Sequence, residues 1–290
     1  MVVFYKTRRY TCTVAFIEAN SMSKSERQIF ELEHDETQRS ETSTAFDVMQ
    51  NWIRPIFAEF VGTMIFVFVG SLSSVVGFLD GKIDPALRLS VSALTQGFIV
   101  VSVIAGLGQP SGGHINPAIT LGVLCSGGMA VSTAIFYVIF QLVGALCGAI
   151  LIWVLLTSGQ YEYINGGVLT PGVDVGLEST VVCEWILTTV LVSTALQVSM
   201  ERGPSTLAPL VIGLTVVACI LAGGAVSGAC MNPARIFGPA VVSGKWTYHW
   251  TYWLGPVAGA VTSALIYRLV LASPDKRLIL KSSPNKLNDN

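Results

Sequence analysis

GFIVVSVIAGLGQPSGGHINPAITLG (97–122) and GLTVVACILAGGAVSGACMNPARIFG (213–238) are two versions of one segment. Superposed with a shift of 116 residues and no gap, they agree at 11 of 26 positions, among them Gly97/Gly213, Gly108/Gly224, Ser111-Gly112/Ser227-Gly228 and Gly122/Gly238. Both contain Asn-Pro-Ala, as Asn116-Pro117-Ala118 and Asn232-Pro233-Ala234. Average residue usage would not place that tripeptide even once in a chain of this length. An internal repeat in an apolar chain implies two structurally equivalent halves around a shared site, the organisation of transport folds.

The composition excludes a soluble globular protein: 52% of residues are hydrophobic and only 12% charged. The charge is also segregated, with 14 charged residues among the 218 of 55–272 and the other 21 in the 72 residues of the two tails. No basic stripe points to nucleic acid. The six cysteines (12, 125, 147, 183, 219, 230) form no CxxC pair and three scattered histidines give no zinc spacing, so neither metal nor cofactor is expected. No nucleophile–base pair or phosphate-cradling loop suggests an enzyme.

Apolar stretches long enough to cross ~30 Å of hydrocarbon fall at about 55–79, 87–107, 131–157, 178–200, 207–223 and 250–272. This predicts an all-α membrane protein with six transmembrane helices, three per half. The segments 108–130 and 224–246 are Gly-rich, nearly free of charge and broken by Pro. They are too apolar for solvated loops and too interrupted to span. Beyond each Asn-Pro-Ala lie about ten helix-compatible residues, roughly 15 Å, which is half a bilayer. The economical reading is two re-entrant half-helices whose starts meet at the midplane, their backbone satisfied because they line a cavity.

Three helices per half is an odd number, so the halves (54–157 and 178–272) insert with opposite topology and the half-helices enter from opposite faces. Arg39, Arg54, Arg202, Arg268, Lys276, Arg277, Lys281 and Lys286 lie on the side of the termini, against Lys82, Arg88 and Lys245 on the other. Both termini are therefore expected in the cytoplasm. Residues 1–53 read as a disordered cytoplasmic N-terminal tail, 54–272 as the channel domain and 273–290 as a cytoplasmic C-terminal tail. The expected location is the plasma membrane, with an intracellular or mitochondrial membrane as the alternative.

In each box Asn suits the N-cap and Pro the first helical position, where its missing N–H is not needed. Capping alone does not require two copies facing each other inside a membrane. Half-helix N-termini carry partial positive charge, and two converging at the midplane repel cations and protons. Asn side-chain amides turned into the lumen would both donate to a passing neutral acceptor. A water held by two donors cannot relay a proton.

These residues, with AEFVGT (58–63), FQLVGA (140–145), MNPAR (231–235) and WLGP (253–256), resemble the aquaporins, the major intrinsic protein family. LAGGAVSGACMNPAR and IFGPAVVSGKW are most similar to its aquaporin-8 or aquaammoniaporin branch and plant tonoplast relatives. The resemblance covers about 55–272. It implies six tilted helices, two re-entrant half-helices, one pore per protomer and a homotetramer in the lipid bilayer. It also places the four residues of a selectivity constriction at Gln96, Ile220, Ala229 and Arg235. Gln96 departs from the pattern, since aquaporin-8 relatives usually carry His there. Arg235 aligns with Ile119 of the first repeat, and a lone arginine inside a membrane is costly and usually faces a wet cavity.

Glu59 and Glu184 occupy matching early positions in the first helix of each half. They could couple protons to transport, but a structural role, accepting backbone N–H bonds from the re-entrant loops, explains their duplication. Gly62, Gly144/Gly148 and Gly255/Gly259 have the small-xxx-small spacing of close helix packing. His114 reads as a structural hydrogen-bonding residue, and Trp246, Tyr248, Trp250, Tyr252 and Trp253 as an aromatic belt near His249. Cys230, two residues before Asn232, is the candidate mercury-sensitive thiol.

The expected function is a passive channel for water and small neutral solutes, with ammonia and hydrogen peroxide among them and protons and ions excluded. The alternatives are a water-selective channel, a glycerol or urea facilitator, and a coupled transporter. Ile236 and Tyr252-Trp253 argue against the glycerol facilitator, because glycerol channels typically carry Asp after the second-box Arg and lack the aromatic pair. The 158–177 loop is too short and Gly-rich to recommend an adhesive role.

Overall fold

The computed structural model describes residues 46–78, 84–201, 205–274 and 276–278. The helices from Arg54 onward are Arg54–Leu72 (α1), Pro85–Ser111 (α2), Pro117–Cys125 (α3), Val131–Leu155 (α4), Ser158–Tyr163 (α5), Leu177–Leu196 (α6), Ala208–Gly223 (α7), Pro233–Ser243 (α8) and Thr251–Ile266 (α9). π-Helical turns prolong α6 over Gln197–Glu201 and α9 over Tyr267–Leu271. Among the described residues, the helices containing α1, α2, α4, α6 and α9 are long and apolar enough to cross a membrane. The sixth expected span, α7, has 16 residues, about 24 Å of helix.

One departure from the sequence reading concerns the N-terminal tail. Phe46–Ile53 fall within the expected disordered tail but are helical, with a π-helical turn over Met49–Ile53; no Gly or Pro interrupts them. Residues 1–45 lie outside the described part. In the expected C-terminal tail, Glu201 accepts the Ser273 N–H at 2.9 Å and the Leu278 N–H donates to the Arg268 carbonyl at 2.9 Å, so the start of that segment is tied to the ends of α6 and α9. Residues 279–290 are outside the described set.

The halves interlock. In the first, α1 packs on α4; in the second, α6 packs on α9; and α2 crosses α7 between them. Half-helix α3 lies against α9 and half-helix α8 against α4, so each half-helix rests on the last helix of the opposite half. Glycine makes the central crossing possible. A Cβ on Gly97 would stand 2.6 Å from the Gly213 carbonyl oxygen, and one on Gly213 would stand 2.6 Å from that of Gly97. Gly144 meets Phe60 and Gly255 meets Val181 backbone in the same way, which is the close packing their spacing predicts.

The inverted arrangement shows in which ends meet. Arg54 at the start of α1 donates to Gln109 near the end of α2 at 3.1 Å. On the opposite face, the ring of Phe78 meets that of Tyr163 of α5, and Arg88 stacks on the same tyrosine. Segment 158–176 folds into that face as more than a loop: a Thr157/Gln160 capping box starts α5, and Gly172 N–H donates to the Val226 carbonyl at 2.9 Å.

Candidate functional site

Asn116 and Asn232 have extended backbones, with φ of −156° and −147°, immediately before the fixed φ of Pro117 and Pro233. Asn116 Oδ1 caps its own half-helix by accepting Ala118 N–H at 2.8 Å; Asn232 Oδ1 accepts Ala234 N–H at 3.0 Å. The amide nitrogens cross over. Asn116 Nδ2 donates to the Met231 carbonyl at 2.9 Å and Asn232 Nδ2 to the Ile115 carbonyl at 3.0 Å. Each asparagine thus ends one half-helix and fastens the loop that leads into the other. One N–H of each amide is committed to that bond and the second remains for a solute.

The approach to each box is strained in the same way. Gly112, Gly113 and Ile115 have φ of 88°, 65° and 45°; Gly228, Ala229 and Met231 have 87°, 49° and 52°. Left-handed backbone is unfavourable for isoleucine, alanine and methionine, and persists only where the surroundings over-determine it. A buried carboxylate does so in each half. Glu59 accepts Ser111 Oγ–H at 2.6 Å, His114 N–H at 2.9 Å, Ile115 N–H at 2.6 Å and Gln141 Nε2 at 2.7 Å. Glu184 accepts Ser227 Oγ–H at 2.7 Å, Cys230 N–H at 2.8 Å and Met231 N–H at 2.7 Å. Both side chains are fully buried. Every carboxylate oxygen is occupied by donors from the protein.

Several residues of these networks were not assigned to them from the sequence. Tyr137 Oη donates to the Ser111 carbonyl at 3.1 Å and Tyr252 Oη to the Ser227 carbonyl at 2.7 Å. Tyr252 is completely buried and so does not belong to the expected aromatic belt, whereas Trp246, Tyr248 and Trp250 are exposed. The two tyrosines are equivalent at a shift of 115, one short of the repeat register, so an ungapped comparison passes over them. Gln141 and Thr120 exist only in the first half's network: Gln141 Nε2 donates to Thr120 Oγ1 at 2.9 Å, and His114 Nδ1 lies 3.1 Å from the same hydroxyl.

Between the half-helices lies a narrow cavity of ≈30 Å³. Its walls are mostly apolar, with Val100, Ile104, Ile212 and Val216 among them, and its polar lining includes Asn116 and Asn232. Cys230 also lines it; the thiol is 3.1 Å from the Asn232 carbonyl. A wider vestibule of ≈640 Å³, walled by residues of segment 163–173 and by α2, lies at one end. Gln96 and Ile220 line both spaces and so mark the junction. Ala229 is buried in the strained loop, its N–H on Ser227 Oγ at 3.0 Å.

Arg235 is 1% exposed. Its Nη1 donates to the Gly167 carbonyl at 2.9 Å, and Gly167 belongs to the vestibule wall. Among the described residues no carboxylate pairs with it, so it is a buried cation held by a backbone dipole rather than by a salt bridge. Among the described residues there is also no cluster of three or more His, Cys, Asp or Glu side chains suited to a metal.

The family model described as Major intrinsic protein matches residues 47–267. The chain is 39% identical over 235 residues to Aquaporin-8 of Mus musculus, covering 80% of this chain and 88% of that protein. It is 39% identical over 241 residues to Aquaporin TIP2-1 of Arabidopsis thaliana, covering 80% of this chain and 92% of the relative. The X-ray structure of the aquaglyceroporin from Plasmodium falciparum matches with a TM-score of 0.66 at 24% identity, over 76% of this chain and 96% of that one. At that identity the match speaks for the fold alone.

Proposed function

Because the chain belongs to the major intrinsic protein family, we propose that it is a passive channel for water and ammonia, with hydrogen peroxide as a further substrate, closed to protons and ions. The observation that carries this reading is the pair of crossed asparagine amides at one narrow, otherwise mostly apolar cavity. A space of ≈30 Å³ holds about two water molecules. A water between Asn116 and Asn232 receives two hydrogen bonds and turns both its own protons outward. It cannot accept a third proton from one neighbour and pass one to the next. The positive ends of α3 and α8 add a barrier to cations. Apolar walls hold a small solute weakly, which favours fast passage.

In this reading Gln96, Ile220, Ala229 and Arg235 form the selective opening. Ile220 and Ala229 supply no lumenal hydrogen-bonding side chain, and alanine adds little bulk. Ammonia is close to water in size and loses less on dehydration, so this opening suits both. Ile236 and the Tyr252-Trp253 pair speak against glycerol. Protomers assemble as a homotetramer with one pore each, and both termini face the cytoplasm.

The test is stopped-flow flux in proteoliposomes, run in parallel for water, ammonia, hydrogen peroxide and glycerol under an imposed pH gradient. The expected result is fast water and ammonia flux with low activation energy, no glycerol flux above empty liposomes, and a maintained gradient. Water flux with ammonia flux no higher than in empty liposomes assigns the protein to the water-selective group. Collapse of the gradient overturns the proposal.

Cys230 supplies an independent check on the pore's location. Both Cys230 and Cys219 are buried, but Cys230 lines the narrow cavity whereas the Cys219 thiol lies 3.8 Å from the Leu187 carbonyl. Mercurials are expected to block water flux in the wild-type protein and to leave Cys230→Ser active. Equal inhibition of the two would move the sensitive thiol elsewhere.

A further inference from the structure

Gln96 stands where the narrow cavity meets the vestibule, and an untethered amide there would be free to swing across the junction. It is tethered. Gln96 Nε2 donates to Ser92 Oγ, one turn earlier on α2, at 3.0 Å. Ser92 Oγ lies 3.3 Å from Ser73 Oγ just beyond α1, and Ser73 Oγ donates to the Gly70 carbonyl at 2.7 Å. One direction of proton donation satisfies the whole chain: Gln96 to Ser92, Ser92 to Ser73, Ser73 to Gly70. No hydroxyl is asked to donate twice. Gly70 is also the seat of the side chain, since a Cβ there would stand 3.1 Å from Gln96 Cγ and 3.4 Å from both Cδ and Oε1.

We propose that Ser92, Ser73 and Gly70 form a clasp that holds the Gln96 amide against the α1 wall, keeping the opening clear and fixing the orientation of the amide. One N–H of Nε2 is committed to Ser92, which leaves the second N–H and the oxygen of a fixed amide. Among the described residues Oε1 has no protein partner and is not fully buried, and Gln96 lines the cavity. The entrance therefore offers water and ammonia an amide of fixed orientation, with one donor and one acceptor. Ser92, Ser73 and Gly70 are positioning residues, acting through Gln96. The inference rests on reading Gln96 as part of the selective opening.

The experiment is a double-mutant cycle on water and ammonia flux per reconstituted protomer. Ser92→Ala removes one hydrogen bond and frees the amide to swing into the opening, so both fluxes are expected to fall roughly threefold. Gly70→Ala, whose methyl group pushes Gln96 off its seat, is expected to do the same. Ser92→Thr keeps the hydroxyl and should stay near wild type. In a Gln96→Ala background there is no amide to restrain, and neither Ser92→Ala nor Gly70→Ala should change flux further. Equal losses in both backgrounds would make these positions structural and overturn the clasp, as would unchanged flux for Ser92→Ala in the wild-type background. Wild-type protein that passes water but not ammonia refutes the ammonia assignment separately, while the water data still decide on the clasp.

Discussion

Replacing Glu184 with alanine is expected to destroy the folded channel rather than to retune its transport. The carboxylate is fully buried and accepts the Ser227 hydroxyl and the amides of Cys230 and Met231 at 2.7–2.8 Å. Deleting it strands three donors inside the bundle, at about 1–3 kcal/mol each. It also releases a loop in which Ala229 and Met231 are held in left-handed backbone, strain of order 1–3 kcal/mol per residue. The three stranded donors cost about 3–9 kcal/mol, only partly offset by the released strain, against the roughly 5–15 kcal/mol of an ordinary domain. Purified in detergent, Glu184→Ala should melt at least ~10 °C lower than wild type or fail to accumulate. Glu184→Gln keeps the shape but turns an amide N–H₂ toward donors, and should also be clearly destabilised. The same holds for Glu59, which has four donors. If Glu184→Gln is instead as stable as wild type and loses a pH-driven flux, the acid is a proton-coupling group and the coupled-transporter reading replaces the channel.

That expectation bears on what could be read without coordinates. The two boxes, the shift of 116 and the matched position of Glu59 and Glu184 were legible because a re-entrant loop repeats its needs in both halves: a capping asparagine, a proline at the first helical turn and a buried acceptor. The crossing of the asparagine amides was not legible. It joins Asn116 to Met231 and Asn232 to Ile115, and such a bond exists only once the half-helix starts face each other. Tyr137 and Tyr252 were hidden by a one-residue change of register, and composition pulled Tyr252 into an aromatic belt although its hydroxyl needs the buried Ser227 carbonyl. Helix α2 continues to Ser111 although its end contains Gly106, Gly108 and Pro110. Pro110 has no N–H to donate to the Gly106 carbonyl, and the helix ends one residue later at Ser111. Gln96 illustrates the same limit at the site. Its position in the opening could be inferred from the resemblance, but the serines that hold it come from two different helices.

If the pore excludes protons as proposed, Arg235→Val is expected to make it leaky while leaving water flux intact. The guanidinium is 1% exposed and meets no carboxylate among the described residues, so its charge is compensated mainly by the Gly167 carbonyl dipole. A cation passing within about 4 Å of it, in surroundings of effective dielectric about 20, is opposed by about 4 kcal/mol. Removing that term lowers the entry barrier by two to three powers of ten. Valine is also shorter, so the opening widens and a larger neutral solute gains entry. The fold should survive: Arg235 N–H still caps on Asn232 Oδ1, and the released Gly167 carbonyl borders the vestibule, where water can satisfy it. Proteoliposomes carrying Arg235→Val should therefore dissipate an imposed pH gradient far faster than wild type and admit urea, at nearly unchanged water permeability. Arg235→Lys retains the charge and should keep the gradient while still admitting more urea, because the planar fork is lost. That split separates the electrostatic role from the steric one. A Val variant that holds the gradient and excludes urea as well as wild type does would show that Arg235 serves only to anchor segment 163–173, and the barrier to cations would then rest on the half-helix ends alone.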